Sequence, residues 1–353
     1  MVKIVDGIFD EDNESLARTL REATGAETPR VMLFADINVV QQSEGLGSRI
    51  GRYLSANGIS LCAKPVILAG GEKIKCDGLA SFARASSSML DAKIGCKDVV
   101  VALGGGTLLD VVGYAAAQVR GGVKIVRIPT TVAAMIDAAW ADTAALNSPN
   151  VKDAYRIPCR AEAVLEDPAF ARTVLDGVWR AGFSEAARLA VACSAELMDF
   201  CLERVDAVRE RDFDAMREVV EKCVEVRHQK DPGGLAEWCA MRLETMSTYK
   251  LPHGYAVALG LMVDAQYSRQ KGLLSEEELA KIGEFLRRCG AQEGAAHSRH
   301  LFAQADSILF GLDAWQLAHG DEGIAIPDGI GKTAIEKNPD RGAMRKALNM
   351  IKY

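Results

Sequence analysis

The stretch Asp98–Leu103 (DVVVAL) is apolar after its first residue and ends abruptly at Gly104-Gly105-Gly106, after which the chain continues as TLLDVVGYAAA. A short unbroken apolar run that stops at glycines and resumes as a helix-like segment predicts a strand buried on both faces, then a tight turn into a helix. That commits the first half of the chain to a parallel sheet flanked by helices. Neighbouring segments agree. Arg30–Phe34, Pro65–Leu68 and Lys124–Ile128 are further short apolar runs, and the stretches from about Ser43 to Asn57 and Leu79 to Leu90 are helix-like. From about Asp167 onward apolar residues recur at helical spacing. Ser275-Glu276-Glu277-Glu278 predicts a capping box opening a helix to about Cys289, where Gly290 stops it. The expected fold is an α/β domain with a mostly parallel sheet over residues 1–162, followed by an all-α domain over residues 163–353. Ligand is expected in the cleft between them, outside the carboxyl ends of the strands. The segment from Gly290 to Tyr353 carries little pattern.

Composition narrows the class. A chain of 353 residues exceeds what one core usually serves. With 49% hydrophobic and 25% charged residues and a net charge of -6, both signs interspersed, it offers no nucleic-acid groove and no surface for an anionic membrane. The 9 cysteines are dispersed without a CxxC pair, the N-terminal stretch is acidic without an apolar core, and no apolar run is long enough to span a bilayer. A cytoplasmic protein with reduced thiols is the expectation.

The glycine turn suits a phosphate. Backbone amides and the positive end of a helix can approach an anion closely where no side chain intervenes, and Gly104, Gly105, Gly106 and Thr107 stand at that place. Three glycines also suit a tight turn with no ligand. Other loops strengthen the binding reading. Asp110 lies one turn into the helix, Gly70-Gly71-Glu72-Lys73-Ile74-Lys75 follows a preceding strand, and Thr130-Thr131 follows the next one. In a parallel sheet these strand ends meet along one edge, so three loops could surround one dinucleotide.

Taken in order, Gly70-Gly71-Glu72 with Lys75, Gly104 to Ala117, Arg120-Gly121, Pro129-Thr130-Thr131 and Asp137 resemble dehydroquinate synthase and its relatives, the sugar-phosphate cyclases. Leu165 to Phe170 with Thr173 is similar to the family's DPxFLxTL segment, Gly182 to Ala186 to its glutamate-ligand segment, and His253 to Gly260 to its HGEAVAxG segment. The resemblance implies NAD, held by Asp36, Asn38, Glu72, Lys75, the glycine turn with Thr107, Asp110, Thr130, Thr131, Lys152, Phe170 and Thr173. It also implies a homodimer.

The family binds a divalent metal, usually zinc or cobalt, through a glutamate and two histidines. Glu185 and His253 fall on two of these positions. The other histidine is replaced by Glu237, and Met241 stands where a further family histidine lies. A Glu185–Glu237–His253 set lowers the net charge of the site by one unit and should favour harder ions such as Mn²⁺ or Fe²⁺ over zinc. Taken singly, His253 also suits a polar loop and Glu237 a solvated helix face.

The substrate groups depart further. Asp137 and Lys152 match family positions, but Asp153 replaces an asparagine and Thr143 a lysine. Lys230 and Gly234 stand for an arginine and an asparagine, Lys222 for a further substrate lysine, and Arg188 where a lysine often follows the ligand glutamate. Each lysine alone also suits a solvated surface. Fewer cations and amides and two extra carboxylates weaken a pocket for a phosphate and a carboxylate together. The resemblance therefore implies a carbocycle-forming cyclase, a carbon–oxygen lyase, acting on an altered anionic sugar-type substrate, with Asp137, Lys152, Lys222 and Lys230 as catalytic and substrate groups. An NAD(P)- and metal-dependent polyol or glycerol-phosphate dehydrogenase, and a catalytically silent relative, are the alternatives.

Overall fold

The computed structural model describes residues 2–291 and 298–351. The chain forms two compact units, Met1–Leu175 and Asp176–Tyr353. The first contains β1 (Val2–Ile4), α1 (Glu14–Thr24), β2 (Arg30–Asp36), α2 (Ile37–Gln42), α3 (Leu46–Ala56), β3 (Ser60–Leu61), β4 (Val66–Leu68), α4 (Ala80–Asp91), β5 (Val99–Gly104), α5 (Gly106–Gln118), β6 (Lys124–Pro129), α6 (Val132–Ile136), β7 (Thr143–Ser148), β8 (Val151–Pro158) and β9 (Ala163–Glu166). Its sheet runs β1-β9-β6-β5-β2-β3, with β4 also paired to β2, and every pairing is parallel.

The unbroken apolar runs have a direct explanation. Successive side chains of a strand point to opposite faces. Val31, Leu33 and Ala35 of β2 with Val99, Val101 and Leu103 of β5 enter one core, whereas Met32 and Phe34 with Val100 and Ala102 enter the other. A strand that serves two cores cannot alternate polar and apolar residues. Caps set the helix limits: Asn13 accepts from Ser15 N at 2.9 Å, and Gly25 ends α1 in the left-handed conformation.

Two expectations change. The boundary falls after Leu175 rather than at 162, because β9 pairs with both β6 and β1 and so completes the first sheet. Gly113, one turn further into α5, would by its spacing let the helix pack tightly on the sheet; its nearest neighbours are Ala144 of β7 and Cys159 just after β8, with Arg127 of β6 farther off. A Cβ on Gly113 would stand 3.2 Å from both Ala144 Cβ and Cys159 Sγ. The hairpin β7–β8 is antiparallel and separate from the main sheet.

The second unit contains α7 (Asp176–Cys193), α8 (Ala195–Arg209), α9 (Phe213–Arg227), α10 (Glu237–Met246), α11 (His253–Gln270), α12 (Glu276–Arg288), α13 (Arg299–Phe302), α14 (Ala305–His319), the antiparallel hairpin β10 (Ile324–Pro327) and β11 (Thr333–Glu336), and α15 (Arg341–Met350). The hairpin lies in the segment whose sequence carried little pattern. The Ser275 capping box is present, with Glu278 as its reciprocal partner. α11 runs through the core and packs on α7, α10 and α15. Two glycines let it approach. A Cβ on Gly254 would stand 2.0 Å from Ala181 O of α7, and one on Gly260 would stand 2.5 Å from Ala236 O just before α10. All 9 cysteines are free thiols. Among the described residues no helix is long and apolar enough to cross a membrane.

Candidate active site

The loops at the carboxyl ends of β2, β4, β5 and β6 meet along one edge of the first sheet. Asp36, at the end of β2, caps α2 by accepting from the amide of Asn38 at 2.8 Å and from its side chain at 2.9 Å. Burial raises the Asp36 carboxyl against those two donors. Gly70 lies so close to this pair that a Cβ would stand 2.3 Å from Asp36 Oδ2 and 2.7 Å from Asn38 Nδ2. Gly105 and Gly106 approach the β6 side in the same way. Cβ atoms there would stand 3.2 Å from Thr131 Cγ2 and 2.8 Å from Ala138 Cβ. The amide of Thr130 donates to Gly104 O at 3.1 Å, while the buried Thr130 hydroxyl has no hydrogen-bond partner in the structure. The first amides of α5 lack intrahelical partners by geometry. Together they line a cradle of main-chain donors with one unspent hydroxyl beside it, which fits the pyrophosphate of a dinucleotide.

Behind the cradle lies a buried ionic network. Lys75, 4% exposed, donates to Asp110 at 2.6 Å and to Asp153 at 2.8 Å. Lys152 pairs with Glu72, which also accepts from Asn147 at 2.8 Å. Asn147 in turn accepts from the amide of Asp153 at 2.9 Å, and Asp110 from that of Ala145 at 3.2 Å. Burial alone would raise the Glu72 carboxyl, but Lys152 and Lys75 outweigh it and hold it at about 2. Burial opposes the charge on Lys75, yet Asp110, Asp153 and Glu72 keep its pKa well above that of a free lysine. For Asp110 burial wins over Lys75 and the carboxyl rises, whereas at Asp153 Lys75 and Lys152 win and it falls. Glu72, Lys75, Asp110 and Lys152 are therefore brought together as expected of one site, but they bind one another. Asp153, the residue in place of the family asparagine, completes the network from a left-handed backbone conformation with φ 51°.

Phe170 and Thr173 stand in the 3-10 turn after β9. Phe170 is a core side chain stacked edge-on to Phe9, and the Thr173 hydroxyl donates to Phe170 O at 2.8 Å. Asp137 caps the end of α6. Its loop is fixed by Arg127, a buried side chain that donates to Ala139 O, Ala141 O and Cys159 O at 3.1, 2.5 and 2.7 Å. Sequence reading gave Arg127 no role. Its signal was a lone charge inside the apolar run of β6.

In the second unit Glu185 of α7 and His253 at the start of α11 face each other, with His253 Nε2 3.2 Å from Glu185 Oε1. His253 Nδ1 lies 3.1 Å from Glu244 Oε2. A carboxylate on one imidazole nitrogen fixes the ring and turns the other nitrogen to its work. Glu244 therefore orients His253. Burial depresses the imidazole, but Glu244 and Glu185 raise its pKa well above normal. Burial would raise Glu185, yet Arg188 and His253 hold it at about 2. Glu185 Oε1 is buried without a hydrogen bond of good geometry.

Glu237 is placed differently. Its Oε1 accepts from Arg188 Nη1 at 3.2 Å, and Arg188 Nε donates to Glu185 Oε2 at 2.7 Å. Among the described residues no three carboxylate, imidazole or thiol groups stand together as a metal-holding set. The Glu185–His253 pair, with its open carboxylate oxygen, fits a divalent ion; the full Glu185–Glu237–His253 set does not fit one as arranged. Lys222 pairs with Glu225 of its own helix at 2.6 Å, and Lys230 donates to Cys193 O at the end of α7 at 2.6 Å.

A buried aspartate supports this corner. Asp264 of α11 accepts from the amide of Ala236 and the indole of Trp238, each at 2.9 Å, and so clamps both neighbours of Glu237. Ala236 is held in the left-handed conformation, with φ 69°. Burial drives the Asp264 carboxyl up to about 7 despite both donors.

Comparison with known proteins agrees with these two halves. Residues 65–180 match the family model for the 3-dehydroquinate synthase N-terminal domain, and residues 235–305 the model for its C-terminal domain. The chain is 28% identical over 367 residues to 2-epi-5-epi-valiolone synthase of Streptomyces glaucescens, covering 99% of this chain and 90% of that protein. It is 27% identical over 268 residues to 3-dehydroquinate synthase of Rhodopseudomonas palustris, covering 71% and 69%. The solved 2-epi-5-epi-valiolone synthase of Streptomyces hygroscopicus subsp. jinggangensis, with NAD⁺ and Zn²⁺ bound, superposes with a TM-score of 0.84 at 22% identity, covering 99% of this chain and 95% of that one. With the glycine cradle, the Glu185–His253 pair and both halves of the family pattern present, the chain belongs to the dehydroquinate synthase-like sugar-phosphate cyclases.

Proposed function

We propose that the chain is an NAD-dependent, divalent-cation-dependent cyclase that converts a sugar phosphate into a carbocycle by a carbon–oxygen lyase step, with a substrate other than that of the family's namesake. The observation that carries this is the cradle at the carboxyl edge of the sheet, where a Cβ on Gly70 or Gly106 would clash, one on Gly105 would be tight, and the Thr130 hydroxyl is buried and unspent. Asp36, Asn38, Gly104, Gly105, Gly106, Thr107, Thr130 and Thr131 would hold the dinucleotide, and the Glu72–Lys75–Asp110–Lys152–Asp153 network would stiffen the loops behind it. Bound NAD supplies reversible acceptance of a hydride, so it is regenerated within each cycle.

The chain's own groups then have separable tasks. Asp137, on a loop held by Arg127, would accept a hydrogen bond from a substrate hydroxyl. Glu185 and His253 are the donors for the cation, with Glu237 as third ligand once released from Arg188. Lys222 and Lys230 are committed to Glu225 and to Cys193 O. That commitment favours, as a second reading, a polyol dehydrogenase that needs fewer anion-binding groups.

A panel of ketose and aldose phosphates separates the readings. With NAD and Mn²⁺ or Zn²⁺ supplied, the cyclase releases inorganic phosphate and accumulates no NADH. Net NADH from a simple polyol would instead establish the dehydrogenase, and absence of both activities together with absence of NAD binding would establish a silent relative.

A further inference from the structure

We propose that Arg188 is a resident cation that competes with the divalent ion for Glu185 and Glu237, so that the ion enters only by displacing the guanidinium from one carboxylate and is held weakly. The inference rests on the reading of Glu185, Glu237 and His253 as the ion's ligands. The contacts of Arg188 carry it. Arg188 Nε donates to Glu185 Oε2 at 2.7 Å, and Nη1 donates to Glu237 Oε1 at 3.2 Å and to Gly233 O at 3.1 Å. One planar fork thus spans both carboxylates, a geometry that a lysine's single ammonium reproduces poorly.

The guanidinium does not lose its proton, and its side chain is only 3% exposed, so its charge is poorly screened. An ion bound to both carboxylates would stand beside that charge and would need lone pairs that Arg188 already uses. The two sides of the fork are unequal. The Glu185 side chain is 1% exposed and that of Glu237 34%. Water can replace Arg188 at Glu237 but not at Glu185, so Glu237 is the side that opens. Gly233 O keeps the guanidinium anchored when it does. The Glu185 oxygen not bound to Arg188 already faces His253 Nε2, which leaves half of the ion's site standing ready.

The test is calorimetric titration of the full chain with Mn²⁺ and separately with Zn²⁺, in wild type, Arg188→Gln and Arg188→Lys. Competition predicts that Arg188→Gln binds the ion at least tenfold more tightly than wild type. Arg188→Lys, which keeps the charge but cannot bridge both carboxylates, should bind severalfold more tightly. Without ion, Arg188→Gln should melt below wild type, and added ion should raise its melting temperature by more than it raises that of wild type. If Arg188→Gln does not fold, Arg188→Lys decides. Binding by the variants that equals or falls below wild type overturns the proposal, as does absence of ion binding in all three proteins. Phosphate release by wild type is scored separately, so competition can fail while the proposed reaction stands, and the reverse.

Discussion

Single atoms set the tolerances of the glycine cradle. Gly70 is there because Asp36 and Asn38 occupy the space a methyl would need, with approaches of 2.3 and 2.7 Å. A Gly70→Ala change must push the Asp36–Asn38 turn aside. Overpacking of this kind costs about 1–3 kcal/mol. Because the displaced atoms line the cradle, NAD affinity should fall roughly tenfold or more for a comparable loss. Titration of NAD into both proteins measures it, and unchanged affinity would separate Gly70 from the cradle. At this scale the sequence was informative where chemistry needs a particular residue. The glycines, Asp36, Glu185 and His253 could all be singled out as candidates from their motifs. What could not be read was commitment. Nothing in the spelling of Lys75, Lys152 or Glu237 says that their charges are answered by Asp153, Glu72 and Arg188, because those partners come from other elements.

Elements determine which of these groups meet. α11 brings His253, Gly254, Gly260 and Asp264 to two neighbours at once, and Asp264 grips the turn before α10. That grip is pH-dependent. The folded Asp264 titrates at about 7 because it is buried, against an ordinary aspartate value near ~3.9 in the unfolded chain. The folded state therefore holds the proton more tightly. Its contribution is fully present below the unfolded value and is lost as pH rises toward 7. Asp264→Asn removes this dependence. Its stability relative to wild type should rise between pH 5 and 7 by up to about 1.4 kcal/mol per unit, then level off. Urea midpoints across that range test it, and parallel profiles would contradict the assignment. The helices and parallel strands were legible because their periods are distinct. The hairpins were not: β10 and β11 have 4 residues each, too few to show a period, whereas β7 is buried almost throughout and β8 mostly exposed, so neither alternates.

At the scale of the whole chain, the two units each own a core, and cofactor binding should stabilise the unit that carries the cradle. A ligand at a hundredfold its dissociation constant adds about 2.7 kcal/mol to the state that binds it. For a unit of this size that corresponds to a rise in melting temperature of roughly 5–10 °C. Calorimetry with and without NAD checks this, and an unmoved transition would show that the cradle is not a dinucleotide site. The two-unit plan and the parallel sheet were both legible in the sequence, but the boundary was not. Ala163–Glu166 looks like the start of something new only until its pairing with β1 and β6 is seen.

That pairing has a consequence in time. Val2–Ile4 lies beside Val164–Glu166, so β1 finds its partner only after about 160 further residues have been synthesised. At typical rates of synthesis the wait is roughly ten to thirty seconds. During it the outer edge of β6 and the whole of β1 are bare strand, open to pairing with another nascent chain. A chain cut at residue 162 would keep that edge bare permanently.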